Sequence, residues 1–322
     1  MELVSPNSVR IVLFGEGMVE ERADAAFAWG GDVVNTAVYL ARQAARLGAR
    51  PELMTAMGAD PGSDAIVGAW AAQGVGVAHV LRDPARTAGS YRISLAPDGQ
   101  RTFSYDRERS AARSFFEHAE ADGTLEWAAG ADILYLTGIT LSIFGEAARA
   151  RIAELARRVR ERGGEVVFDA NYRAPGWPSP AAAWRAIEAL GPAISIAMPS
   201  SDDHAGLRGV RSPPAEIASA WLALGAREAV VKLGPDGAFI ANADGARVAV
   251  AASIPERIID TTAAGDSFNA AYIAARLIEG APIEAAARRG AALAAEVIAW
   301  PGAIAPPHVG RLAGQPADEG AA

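Results

Sequence analysis

Short apolar runs rich in Val and Ile alternate along this chain with longer amphipathic segments, most of which stop at a glycine. That alternation is the pattern expected when helices cover both faces of a mostly parallel sheet. Strands are predicted at Val9 to Phe14, Ile133 to Leu136, Val166 to Phe168, Ile194 to Met198 and Ala229 to Leu233. Helices are predicted at Val33 to Leu47, Ser63 to Gln73, Glu146 to Arg162, Ala215 to Leu224, Asp266 to Ile278 and Ile283 to Ile298. Gly48, Gly74, Gly163, Gly225 and Gly280 stand where left-handed cap residues end such helices.

One stretch breaks the rhythm. Tyr91 to Leu95 and Arg101 to Tyr105 alternate in character around Pro97-Asp98-Gly99, a turn signal, and so predict a β-hairpin. A hairpin set between helical units cannot easily enter a sandwiched parallel sheet. It is expected to project as a lid over the carboxyl ends of the strands, where open α/β folds bind ligands. The segment after Pro306, rich in Gly, Ala and Pro, is expected to fray.

At 322 residues and 51% apolar, the chain can bury one large core, with or without a small appendage. A formal net charge of −8 argues against nucleic acid or an anionic membrane surface as partner and favours a small molecule. Cysteine is absent, which rules out disulfides and thiol chemistry. No window approaches the roughly 20 apolar residues of a membrane span, and Met1 to Arg10 carries no secretory pattern, so a cytoplasmic protein is expected. Lys232 is the only lysine, which leaves a single candidate for any lysine-based catalysis.

The sharpest chemical signal is the small-residue run Asp260-Thr261-Thr262-Ala263-Ala264-Gly265-Asp266, opening directly into the apolar Ser267-Phe268-Asn269-Ala270-Ala271-Tyr272. Small side chains let the backbone approach a ligand, and the N–H groups of a first helical turn bind anions. A carboxylate there is out of place beside a bound phosphate unless it accepts a proton from a hydroxyl attacking that phosphate. Taken alone, the run also fits an ordinary capped helix. A second segment, Trp29-Gly30-Gly31-Asp32-Val33-Val34-Asn35, offers a glycine pair at a helix start with Asp32 and Asn35 as acceptor and donor for hydroxyls; a tight turn with an N-cap is its plainer reading. Gly15-Glu16-Gly17 lacks the third glycine of a dinucleotide fingerprint, which weakens an NAD-dependent alternative.

Both segments resemble the two signatures of the ribokinase-like (PfkB) carbohydrate kinases, and the likeness runs from about residue 10 to 305, including Thr55-Ala56-Met57-Gly58-Ala59-Asp60. The resemblance implies a three-layer α/β/α core with a mostly parallel sheet, residues 1–322 forming a single kinase domain, and a small β lid from segments 15–29 and 87–109. It implies Asp266 as catalytic base, with the N–H groups of Ala263, Ala264, Gly265 and Asp266 stabilising negative charge. Many members carry Gly where Ala263 stands; Ala is compatible with the role provided the backbone does not demand positive φ there. Gly30, Gly31, Asp32 and Asn35 are expected on the sugar. Ser200, Lys232, Gly234, Gly237, Thr262 and Gly265 are expected around ATP, although Lys232 also reads as a structural strand-end residue. In Pro199-Ser200-Ser201-Asp202-Asp203, which occupies the place of the family's Asn-x-x-Glu motif, Ser200 replaces Asn and Asp203 replaces Glu, so Asp203 is expected to reach Mg²⁺ through water. Ala295 to Ile304 resembles the adenine-side segment.

Arginine clamps carboxylates with paired hydrogen bonds, whereas a neutral sugar needs no such group. Arg107 follows the hairpin and Arg173 closes Asp169-Ala170-Asn171-Tyr172-Arg173, so an acidic sugar is expected. The arrangement is similar to the branch of the family acting on 2-keto-3-deoxygluconate, which implies substrate contacts from Tyr91, Tyr105, Arg107 and Arg173. Asp169 and Asn171 are open to a second reading, as local hydrogen-bonding residues of the strand-end loop. Fructose or ribose as substrate, and a catalytically silent binding regulator on the same fold, are the alternatives. A homo-oligomer through the lid and a monovalent-cation requirement are left open.

Overall fold

The computed structural model describes residues 9–21, 28–95 and 101–311. Its strands are β1 (Arg10–Phe14), β2 (Met18–Glu21), β3 (Ala28–Gly30), β4 (Arg50–Gly58), β5 (Gly76–Asp83), β6 (Gly89–Leu95), β7 (Arg101–Asp106), β8 (Ile133–Thr137), β9 (Glu165–Asp169), β10 (Ile196–Ala197), β11 (Glu228–Lys232), β12 (Ala238–Asn242) and β13 (Arg247–Val250). Its α-helices are α1 (Asp32–Ala44), α2 (Pro61–Ala72), α3 (Ala121–Ala128), α4 (Gly138–Ile143), α5 (Glu146–Glu161), α6 (Pro180–Leu190), α7 (Ser201–Arg208), α8 (Pro214–Ala223), α9 (Ala264–Ile273) and α10 (Ile283–Val297). α9 runs on through a π-helical turn over Ala274–Ile278.

Nine strands form the central sheet in the order β13-β12-β11-β10-β9-β8-β1-β4-β5. Every pairing from β11 across to β5 is parallel, and only β12 runs against its neighbours. The strands β1 and β8 through β11 are almost wholly buried because both faces are covered, which explains their continuous apolar runs. One layer, with α1, α2, α9 and α10, packs around Tyr39, Trp70 and Tyr272; the other, with α3 to α8, packs around Phe115, Phe168 and Trp221.

The chain leaves β1 towards β4 on one side and returns to β8 on the other, so the strand order reverses beside β1. In open α/β sheets such a reversal opens a crevice at the carboxyl ends of the strands. A second, four-stranded sheet in the order β3-β2-β6-β7 stands apart from the first. The predicted hairpin is β6 and β7, paired antiparallel with Tyr91 opposite Tyr105, and β2 pairs parallel to β6. The turn Pro97-Asp98-Gly99 and the tail beyond residue 311 lie outside the described residues. Among the described residues no helix is long and apolar enough to cross a membrane.

The sequence reading passes over β4, β5, β12 and β13. Pro51 and Glu52 interrupt the apolar run of β4, β5 is an edge strand with mixed exposure, and β12 and β13 are short antiparallel arms around Gly245.

Candidate active site

Asp266 sits in the first turn of α9, where no preceding turn exists to pair with the leading amides. The first main-chain bond of the helix proper runs from Ser267 N–H to the Ala263 carbonyl at 2.9 Å. Of the amides expected to face an anion, that of Ala264 donates instead to the Thr261 carbonyl at 3.3 Å. Those of Gly265 and Asp266 lead the helix, and the dipole makes this end electropositive. Gly265 also keeps the approach open: a β-carbon there would lie 3.6 Å from Lys232 Nζ.

Ala263 corrects the sequence reading. It adopts φ 62° and ψ 11°, the left-handed region, so the condition under which Ala was expected to be harmless is not met. A non-glycine residue pays roughly 1–2 kcal/mol there. Burial of the Ala263 methyl in the α1–α9 layer offsets part of that cost.

Asn35 Nδ2 donates to Asp266 Oδ2 at 2.8 Å, joining the start of α1 to the start of α9. Asn35 Oδ1 is buried and has no hydrogen-bond partner, a cost that an incoming donor group would offset. Asp32 opens α1 and accepts from Asn171 Nδ2 at 2.9 Å. Asn171 itself holds φ 28° and donates its own N–H to Asp169 Oδ1 at 3.1 Å. The local role foreseen for this loop is therefore played by the Asp169 side chain, whereas the side chain of Asn171 reaches across to Asp32. Gly31, at φ 126°, has no room for a side chain, because a β-carbon would lie 2.5 Å from the Glu16 carbonyl.

Beneath Asp266 lies a buried polar network. Lys232 Nζ donates to Asp169 Oδ2 at 2.7 Å and to Asn269 Oδ1 at 3.2 Å. Asn269 Nδ2 donates to the same Asp169 oxygen at 2.6 Å and to the Tyr135 hydroxyl at 3.0 Å. The charge of Asp169 is felt in the titration of Asp32, Asp203 and Asp266, and the ammonium of Lys232 opposes it at the last two. Asp266 is partly open to solvent above the sheet, yet desolvation, then the charge of Asp32, pushes its pKa up to about 7, against the opposing pull of the Asn35 hydrogen bond and of Lys232. Burial raises Asp32 as well, opposed by hydrogen bonds from Thr137 and the Val33 main chain. A carboxylate balanced near neutrality is suited to accept a proton in a transition state.

Tyr91 is buried, donates to Glu20 Oε2 at 2.8 Å and lies against Gly30, where a β-carbon would fall 2.7 Å from its hydroxyl. Arg107 pairs with Glu16, itself buried. The side chain of Tyr105 lies outside the described residues. Arg173 is half exposed and bonds the Tyr172 carbonyl at 2.9 Å and Asp203 Oδ1 at 3.4 Å. Ser200 and Asp203 form a capping box on α7, so the Ser200 hydroxyl is spent on the helix start. Both Asp203 oxygens are engaged, Oδ2 by Ser200 and Oδ1 by the Tyr172 N–H and Arg173. Among the described residues no group of three or more His, Asp and Glu side chains could hold a metal ion by itself.

Thr262 precedes the left-handed residue and donates its N–H to Asp260 Oδ1 at 2.9 Å; Asp260 Oδ2 accepts from Gly302 N–H at 2.8 Å. Gly234 and Gly237 shape the turn between β11 and β12, and a β-carbon at Gly237 would sit 2.0 Å from the Val250 carbonyl. Sequence reasoning missed Glu16, Tyr135 and Asn269. Asn269 is legible only as one helical turn beyond Asp266, on the same face.

The chain matches the pfkB family carbohydrate kinases over residues 4–309. It belongs to that family. It is 37% identical over 304 residues to 2-dehydro-3-deoxygluconokinase from Escherichia coli (strain K12), covering 93% of this chain and 98% of that one. The crystal structure of a PfkB protein from Polaromonas sp. JS666 superposes with a TM-score of 0.75 at 26% identity, covering 89% of this chain and 95% of that one. The fold is shared as well with a putative ribokinase II from Escherichia coli in complex with ATP and Mg²⁺, at TM-score 0.74 and 22% identity over 92% of this chain and 94% of that one. This family's members are sugar kinases, and its ribokinase-like core is the fold described above.

Proposed function

We propose that the chain phosphorylates 2-keto-3-deoxygluconate at its primary hydroxyl, with ATP as donor, giving the 6-phospho sugar acid. The observation that carries this reading is the Asn35-held carboxylate of Asp266, near neutral pKa, at the amide-rich start of α9. The full-length likeness to an enzyme of that name supports the choice of substrate.

Asp32 and Asn35, on the first turn of α1, accept and donate to the sugar hydroxyls and bring one of them to Asp266. Asp266 takes the hydroxyl proton as attack proceeds. The Gly265 and Asp266 amides then face the negative charge on the transferring group. ATP would supply the phosphoryl group, and Mg²⁺ would offset the negative charge of its phosphates; the open approach at Gly265 and the ammonium of Lys232 beside it fit a phosphate. Asp203 would meet the metal only through water. Arg107, just past the end of β7, and Tyr91, on β6, recognise the carboxylate of the sugar acid. That sheet acts as a lid that excludes water and limits wasteful hydrolysis.

The test is a coupled ADP-release assay with 2-keto-3-deoxygluconate, fructose and ribose, in Na⁺ and in K⁺ buffers, on the native protein and on Asp266→Asn. Turnover of the sugar acid, lost by orders of magnitude in the variant while sugar binding persists, is the expected result. Equal or better turnover of fructose defeats the acid-sugar reading. Ligand binding with no turnover of any sugar would mark a silent regulator.

A further inference from the structure

Glu16 lies in the three-residue link Gly15-Glu16-Gly17 between β1 of the central sheet and β2 of the small sheet. Its carboxylate is 2% exposed, which for a glutamate demands partners. It has them: Ser110 Oγ donates to Oε1 at 2.5 Å, and the Arg107 guanidinium pairs with Oε2. Both partners come from the segment that returns from β7 to the central layers.

The chain passes between the two sheets at β1 to β2, β3 to α1, β5 to β6 and after β7. All of these passages close on Glu16. At β3 to α1, Gly31 is pressed so near the Glu16 carbonyl that a β-carbon would fall 2.5 Å from it. At β5 to β6, a β-carbon on Gly89 would meet Glu16 Oε1 at 2.9 Å, Ser110 Cβ at 3.1 Å and Arg107 Cβ at 3.3 Å. The glycines flanking Glu16 are equally confined, Gly15 by Thr140 and Val33 and Gly17 by Trp70. The passages therefore share one packed knot with a buried anion in it.

We infer that Glu16 is a positioning residue of the sugar site: its carboxylate ties the small sheet to the core and presents Arg107 to the acid group of the substrate. The inference rests on the reading of Arg107 given above. A guanidinium has several donors in a fixed fork, so one edge can be held by Glu16 while another faces a ligand. Neutralised in part by a buried partner, Arg107 holds its place without a ligand and loses less freedom when one binds. Glu16 touches no reacting atom; it acts through Arg107 and through the attitude of the lid.

Three variants, Glu16→Gln, Arg107→Met and the double, test it. Glutamine keeps the size of the side chain and a bond to Ser110 but removes the charge. The KM for the sugar acid is expected to rise tenfold or more in Glu16→Gln, with the KM for ATP within twofold of native. The double variant should be no worse than Arg107→Met alone, because removing the arginine leaves the glutamate nothing to present. A purely structural role would lower the active fraction without splitting the two KM values. An unchanged sugar KM, or losses that multiply in the double variant, overturns the inference. Hydrogen exchange gives an answer independent of substrate. Amides at 28–31, 86–91 and 107–112 should exchange faster in Glu16→Gln while β8 and β9 keep their protection; unchanged exchange at these passages overturns the inference too. Failure of the native protein to turn over the sugar acid would instead count against the proposed function.

Discussion

Asn35 donates its amide to Asp266 across 2.8 Å, so α1 and α9, which carry these two residues, are fixed to each other at their first turns. The bond lowers the pKa of the carboxylate, while burial and the charge of Asp32 raise it to about 7.

A base must be ionised to work. For native protein, kcat/KM should climb about tenfold per pH unit below roughly 7 and level above it. A flat profile from pH 5 to 8 would show that Asp266 is not the group whose ionisation limits the rate.

The same pKa bears on stability, with the opposite sign to a salt-bridged aspartate. Asp266 is raised from 3.8 to about 7 in the folded protein, so between those values the folded state holds the proton that the unfolded state has lost. Its contribution to stability therefore falls as pH rises through that window. Asp266→Asn should be more stable than native at pH 8, by on the order of 1–3 kcal/mol after allowance for partial exposure, and no more stable at pH 4. Denaturant titrations at the two pH values measure this.

Lys232 carries the positive charge that holds down the raised pKa of Asp266, and it is the partner of buried Asp169. Lys232→Met should cost about 3–5 kcal/mol by leaving a buried charge unpaired. It should also move the inflection of the rate profile to higher pH, since the ammonium opposes the upward shift of Asp266. Chemical denaturation and the pH profile read the two effects separately.

At Ala263 the strain of the left-handed backbone, the buried methyl and the greater freedom of glycine when unfolded nearly cancel. Ala263→Gly should stay within about 0.5 kcal/mol of native and retain activity. Ala263→Val, branched at a backbone that disfavours any side chain, should lose about 2 kcal/mol or more and most of the turnover. Thermal melts with initial rates decide it.

On the far end of α1, buried Arg42 donates to the carbonyls of Ala305, Pro306 and Val309 and to Gln73. Arg42→Ala strands several buried acceptors and should destabilise by about 3 kcal/mol. These acceptors directly follow residues 295–304, the stretch that resembles the family's adenine-side segment, so the KM for ATP should rise more than that for the sugar.

The central strands and the helices ending at glycine were legible because covering both sheet faces forces long apolar runs and left-handed caps. Asp266, Asp32 and Asn35 were legible for a related reason: each stands at a helix start behind small residues, a local pattern. What closes the site was not local. Glu16 meets Arg107 and Ser110 across some ninety positions of chain, and Lys232 meets Asp169 across 63. No spacing rule in a single sequence announces such pairs. Ala263 went astray differently: composition identifies the residue, but only the backbone shows that it occupies a conformation usually left to glycine.

Because its only lysine is nearly sealed within the site by Asp169 and Asn269, this kinase owes the permanently charged cationic side chains on its surface to arginine. Reagents and modifying enzymes that seek side-chain amines find none on the outside. An acyl group that did reach Lys232 would strip away the charge that opposes the raised pKa of Asp266, so on this fold acylation of lysine would report on the surroundings of that carboxylate.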